Sequence, residues 1–219
     1  MRYDAIVLGY SCSMDHEHDA FAQSGWAKFA RDFIPATHRG LPMLRLYLPF
    51  RDPALEQGRD VVRWSQYVDV EEEPASLNWF EATGAIADEQ PSVRGLVSCM
   101  GELDDSTVDA LRDGIGDIAL RCLRWVGYGE TPDNAATTRV FGEEYFEADL
   151  GPEDVGPGRR VPEFAWDAEG RLAWGGRLYP DSLIVAAELP IFRQLRNDPR
   201  IDSVSVRPDR DVLPGSAGD

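Results

Sequence analysis

Lysine is almost missing from this chain of 219 residues: its 22 basic side chains are all arginine except Lys28. Cysteine is nearly as scarce. Cys12, Cys99 and Cys122 make an odd count with no Cys-x-x-Cys spacing. A disulfide framework and a thiolate zinc site are therefore disfavoured, and a reducing, cytoplasmic setting is expected. Long apolar runs are missing too. The first, Ala5 to Leu8, is too short for a secretory signal or a membrane span. No Walker loop and no Gly-x-Gly-x-x-Gly turn follows a strand, and residues 151–156 lack the lysine and serine of a phosphate cradle. Arg159-Arg160 and Arg207 with Arg210 stand isolated among acids, so no phosphate track exists. With a formal net charge of −17, the chain is expected to bind neither nucleic acid nor an anionic membrane.

What the sequence has is acid and aromatic mass. There are 39 Asp and Glu, a pI near 4.5, and 43% hydrophobic residues with six Trp, seven Tyr and nine Phe. A disordered acidic chain would be poor in aromatics, so the charges read as a solvated shell around a real core. Arginine in place of lysine fits a codon bias or adaptation to high salt as well as a functional surface. The length suits one domain, expected over 1–206 with a sub-boundary near 128 and a flexible tail over 207–219.

Residues 3–10 read as a buried strand. A helix from about 14 to 34 follows, with Trp26, Phe29, Ala30, Phe33 and Ile34 on one face and Pro35 as its stop. Strands are expected over 43–50, 60–70 and 92–100, and a short helix over 76–87. The order over 1–100 is then βαββαβ, a ferredoxin-like arrangement. A long amphipathic helix over 106–125 comes next. Leu111, Ile115, Ile118, Cys122 and Trp125 form its stripe, Ser106 and Asp109 resemble a capping box, and Gly114 and Gly116 suggest a close backbone approach. The remainder is expected to be β-rich. A strand lies near 138–148, a hairpin joins 164–166 to 171–174, and strands lie near 182–187 and 201–206 with helical turns over 191–196. The fold class is α+β.

Three places carry candidate chemistry. The first is Asp15-His16-Glu17-His18-Asp19 with His38, which holds every histidine of the chain. Asp15, His16, His18, Asp19 and His38 are the candidate metal ligands, although a helical start would turn His16 and His18 to different sides. The second is Gly9-Tyr10-Ser11-Cys12-Ser13 at a strand-to-helix turn. Ser11 or Cys12 is the candidate nucleophile and His16 the candidate base, while Ser13 replaces the final glycine of a nucleophile elbow. The third comprises the acidic runs Asp69 with Glu71–Glu73, and Glu143, Glu144, Glu147 and Asp149, which read as solvated strand edges. No cofactor is indicated.

Two functions follow from this pattern. One is an acidic interaction protein, of inhibitor or immunity type, that binds a basic protein and uses tryptophans such as Trp64, Trp79, Trp166 and Trp174 as anchors. The other is a small hydrolase, metal-dependent or with a Ser or Cys nucleophile, whose site lies at the end of the first strand.

Overall fold

β-Branched and aromatic segments outnumber the helical ones, and they assemble into one large antiparallel sheet. The structure is a computed structural model that describes residues 18–21, 27–52, 61–71, 77–87, 95–129, 131–132, 135–151, 154–176 and 180–212. Their elements run β1 (Met43–Tyr47), β2 (Phe50–Arg51), β3 (Val61–Val62), α1 (Trp79–Ala87), β4 (Val97–Ser98), α2 (Asp105–Ile115), β5 (Leu120–Trp125), β6 (Thr137–Val140), β7 (Glu143–Leu150), β8 (Phe164–Trp166), β9 (Leu172–Gly175), β10 (Ser182–Ala187), α3 (Leu189–Asn197) and β11 (Asp202–Val206). Eight strands pair in the order β11-β1-β10-β9-β8-β5-β7-β6, and β3-β2-β4 form a smaller sheet. The chain is thus a mixed α+β fold with few helices. Among the described residues no helix is long and apolar enough to cross a membrane.

Both faces of the large sheet are covered, so its central strands are apolar on both sides. Leu44, Leu46, Leu183, Val185, Leu172 and Leu120 face one core, built with Leu111 and Ile115 of α2 and Ile191 and Leu195 of α3. Met43, Ile184, Ala186, Phe164, Trp166, Leu123 and Tyr145 face the other. There they meet Phe21, Ala30, Phe33 and Ile34 from the N-terminal turns and Val212 from the C-terminal segment. A third cluster around Trp64 and Phe50 joins the small sheet and α1 to Tyr47 and Val204.

The ferredoxin-like order expected over 1–100 is not the pairing among the described residues. β1 lies between β10 and β11 (Leu44 opposite Val185 and Ser205), so its partners come from the far end of the chain. Of the expected strand 92–100, the described residues 95–100 contribute Val97–Ser98, and these pair in the small sheet with β2. The expected helix over 14–34 appears in its described part as two 3-10 turns, Asp19–Phe21 and Ala30–Phe33. Here Asp32 accepts from the N–H groups of Lys28 and Phe29, and residues 29–31 hydrogen-bond to 208–211 instead of continuing a helix. The stretch 207–212, expected to belong to a tail, packs on that turn through Val212, whose N–H reaches the Lys28 carbonyl.

The long helix expected over 106–125 stops at Ile115. Gly116 takes a positive φ of 56° and closes the last turn on the Arg112 carbonyl at 2.8 Å. Leu120 to Trp125 then run as β5, because a strand buried on both faces and a helix of the same composition share the same apolar density. The cap is Asp104, which accepts from Ser106 and Thr107, in place of Ser106 itself. Gly114 does mark a close approach: a Cβ there would lie 2.9 Å from Leu195 of α3. The expected strand near 138–148 is a hairpin, β6 to β7, turning at Phe141-Gly142 with φ of 53° and 87°.

Gly175 is the tightest point of the sheet. A Cβ there would sit 1.9 Å from the Phe33 carbonyl oxygen, so only glycine lets that 3-10 turn settle on β9. Gly175→Ala is expected to destabilise at or beyond the upper end of the about 1–3 kcal/mol typical of overpacking. Gly84→Ala in α1, where nothing lies within 4 Å, should stabilise by about 0.5–1 kcal/mol. Urea unfolding at unchanged slope distinguishes the two.

Candidate functional site

The second face of the sheet is not closed over its whole length. The N-terminal turns cover one part, and the small sheet with α1 covers another. Between them lies a cavity of about 620 Å³, within the usual range for ligand sites. Its floor is sheet: Arg45 of β1, Tyr145 of β7, Phe164 of β8, Gly175 of β9, and Ser182 and Ile184 of β10. Phe33, Ala27 and Val212 form one wall, Asn78, Trp79 and Phe80 the opposite wall, and Phe141 and Glu143 of the β6–β7 turn a third. Phe141 contacts the rings of Phe33 and Phe164 edge-on, each at 5.9 Å between centroids. A phenylalanine at positive φ is strained, and the turn spends that strain on placing this ring.

Arg45 is 3% exposed, an ionised group inside an aromatic wall. Its Nε donates to Ser182 Oγ at 2.9 Å, its Nη2 donates to the Leu77 carbonyl at 2.6 Å, and Asp181 lies 3.6 Å away. The guanidinium stands 4.7 Å from the Tyr47 ring centroid. Asp181 in turn accepts from the Trp79 N–H at 2.8 Å and from Ser182 Oγ at 3.0 Å. Arg45 and Asp181 therefore act as a strut that fixes the start of α1 at the cavity wall. Among the described lining residues the charged groups are the carboxylates of Glu143 and Asp181 and the Arg45 guanidinium.

Behind the floor sits Glu163, 0% exposed. Burial pushes its carboxyl above the ordinary range. Tyr128 Oη, donating at 2.6 Å, the Trp125 N–H at 3.3 Å and the nearby Arg160 oppose that shift. The Arg160 guanidinium lies 4.2 Å from the Tyr128 ring centroid and 3.9 Å from Glu102, which also meets Arg51 at 2.6 Å. Burial, with Glu163 adding to it, raises the phenols of Tyr128 and Tyr145, so both remain protonated donors.

Of the residues singled out from sequence, Ser11, Cys12, Asp15 and His16 lie outside the described residues, as does the hydrolase site built on them. His18 accepts from the Ala20 N–H at 3.2 Å, stands 3.7 Å from Glu147, and packs edge-on to Trp166. Asp19 is exposed in the first 3-10 turn. His38 is 1% exposed, and both ring nitrogens are engaged: Nδ1 with Thr37 Oγ1 at 2.9 Å and Nε2 with Asp167 Oδ1 at 3.0 Å. No lone pair of that ring is left for a metal. Among the described residues, no three His, Cys, Asp or Glu side chains gather as a ligand set. The hydroxyl–imidazole–carboxylate chain of Thr37, His38 and Asp167 resembles a relay, but its imidazole is sealed off. Its physical effect is to tie the turn Ala36–His38 to the β8–β9 hairpin.

Trp64, Trp166 and Trp174 are core residues, not exposed anchors. Trp64 Nε1 donates to the Leu48 carbonyl and Trp174 Nε1 to the Pro162 carbonyl. Trp79 alone of those four reaches the cavity, beside Phe80, which is 70% exposed and which sequence reasoning passed over. The one local signal for the floor was Trp174-Gly175-Gly176, two glycines directly after an apolar strand. Cys99 and Cys122 are buried thiols, each pushed up to about 11 by burial. No known family's sequence profile matches this chain, and no curated protein or solved structure matches it.

Two titrations test this description. Burial alone would raise the Asp167 carboxyl, but hydrogen bonds from the Leu172 N–H, His38 and the Arg171 and Glu169 N–H groups outweigh it and hold the group at about 2, against an ordinary 3.8. A depressed carboxylate stabilises the fold above 3.8, and the gain is lost as pH falls through about 2. Asp167→Asn should cost about 2 kcal/mol or more at neutral pH, the difference from wild type shrinking with acidification through that window. Glu163 has the opposite sign. Its raised value makes stability fall as pH rises from the ordinary 4.5 through the folded value. Glu163→Gln should flatten that decline, read as urea-unfolding free energy from pH 4 to 8.

Proposed function

We propose that this chain is an acidic binding protein, of inhibitor or immunity type, that covers a basic protein partner in the cytoplasm. The observation that carries this reading is how the cations are used. Arg45 meets Asp181, Arg51 and Arg160 meet Glu102, Arg63 meets Asp104, and Arg121 meets Glu147. Arg171 meets Asp167 and Glu169, Arg200 meets Asp113 and Asp198, and Lys28 meets Asp211. Each of these cations is met by an acid within the molecule, and the field of a chain at −17 is dominated by its surplus carboxylates. Such a field speeds the encounter with a basic surface and repels acidic ones. Large apolar side chains are exposed as well: Phe80 at 70%, Val97 at 41% and Met100 at 40%. Aromatic anchors of that kind carry most of the affinity of an interface.

The test is affinity capture from an extract of the organism that makes the protein, followed by purification of the captured species and kinetic measurement. A basic protein binding one to one is expected, with an association rate falling on the order of tenfold between 50 and 300 mM salt. Phe80→Ala should weaken it by about tenfold or more, mainly through faster dissociation. Failure to retain any basic partner, or a stoichiometric catalytic metal in the purified chain, would remove the reading.

A further inference from the structure

The cavity between the two coverings of the sheet has an electrostatic character that narrows its occupant. Six aromatic rings line it, those of Phe33, Trp79, Phe80, Phe141, Tyr145 and Phe164. A neutral apolar ligand would suit the rings alone, but the polar groups are not neutral. Asp181 and Glu143 are both part of the lining, and Glu143 is exposed at the turn that forms one wall. Among the described lining residues the one cation, Arg45, already donates to Ser182 and to the Leu77 carbonyl and lies beside Asp181. It positions α1 together with Asp181, whose charge it balances, so an anionic ligand would gain nothing from that pair and would meet the Glu143 carboxylate. A cation would meet ring faces and the exposed Glu143 carboxylate.

We infer that this cavity receives an arginine side chain of the basic partner, its guanidinium stacked on the aromatic walls and facing Glu143. The inference rests on the binding function proposed above and names the group that function would recognise. Guanidinium is favoured over a compact ammonium because it is planar, more weakly hydrated, and stacks on rings. The molecule uses that packing internally, with Arg45 4.7 Å from the Tyr47 centroid, Arg160 4.2 Å from the Tyr128 centroid and Arg31 5.2 Å from the Phe29 centroid. A volume of about 620 Å³ exceeds one side chain, and the extra room suits the backbone that carries it.

The probes are three capped tripeptides, acetyl-Gly-Arg-Gly-amide and its citrulline and lysine counterparts, titrated into the full chain by NMR and tryptophan fluorescence. Citrulline keeps the shape of arginine and removes its charge. The arginine peptide is expected to bind with shifts centred on Trp79 and Phe141, and the citrulline peptide about tenfold more weakly, with lysine between them. Glu143→Gln, at an exposed position that leaves the core untouched, should weaken the arginine peptide several-fold without altering the thermal midpoint. Phe80→Ala should weaken all three. Equal binding of arginine and citrulline, binding mapped away from the cavity, or no saturable binding at 10 mM peptide (a bound set with reference to weak millimolar affinities) would overturn the inference. The two proposals fail separately. A captured basic partner whose affinity ignores Glu143→Gln leaves the binding function standing without this pocket. Arginine-peptide binding with no basic partner leaves the pocket standing without that function.

Discussion

A buried guanidinium governs how this molecule is arranged. Arg45 is buried on a sheet face dominated by apolar side chains, and removing such a charge from water costs several kcal/mol unless it is fully paired. The fold meets that demand with Asp181, Ser182 and the Leu77 carbonyl, drawn from opposite ends of the sequence. Satisfying Arg45 brings the loop before β10 and the entry to α1 to the same spot. Asp181 then holds the Trp79 N–H, and α1 is fixed at an angle that leaves a hollow over the sheet. Filling the hollow by moving α1 inward would break the strut, so the cavity is a by-product of keeping one charge content.

Glycine and strained turns shape the rest of that hollow. Gly175 lets the turn at Phe33 descend until its carbonyl nearly touches β9, which sets the height of one wall. Phe141, at positive φ, projects from a two-residue turn where asparagine would be the ordinary choice. Around these, the charges sort by role. Asp167, His38 and Glu163 are sealed and structural, whereas Glu143, Glu169 and Asp113 face water.

The sequence disclosed the general class of fold and several elements, but little of the site. The β8–β9 hairpin was legible because Asp167-Ala-Glu-Gly170 is a turn signal between two aromatic runs, and α3 because Pro190 opens an amphipathic stretch. The segment 106–125 misled because Ile118, in the connection after α2, and Cys122 and Trp125 of β5 keep a helical spacing by coincidence; Gly116 was the discriminating residue. The hairpin at Phe141-Gly142 was hidden because an aromatic residue rarely takes the first turn position. The pairing of β1 with β10 and β11 was invisible in principle, since nothing local in Met43–Tyr47 names partners so distant. The cavity was missed for the same reason: its walls come from seven separate segments and share no motif. The histidines drew attention as the rarest reactive residues, yet the buried one proved to be a tie between a turn and a hairpin.

That distant pairing has a bearing on how the protein is made. Leu44 is synthesised well before its neighbours on either side, Val185 and Ser205. Until then β1 waits with both hydrogen-bonding edges open and an apolar side chain on each face. Such long-range closure slows folding, and an unpaired strand of this kind invites association with other nascent chains. The heavy negative charge carried by every copy then has a second use, holding unfinished chains apart while the sheet awaits its last strands.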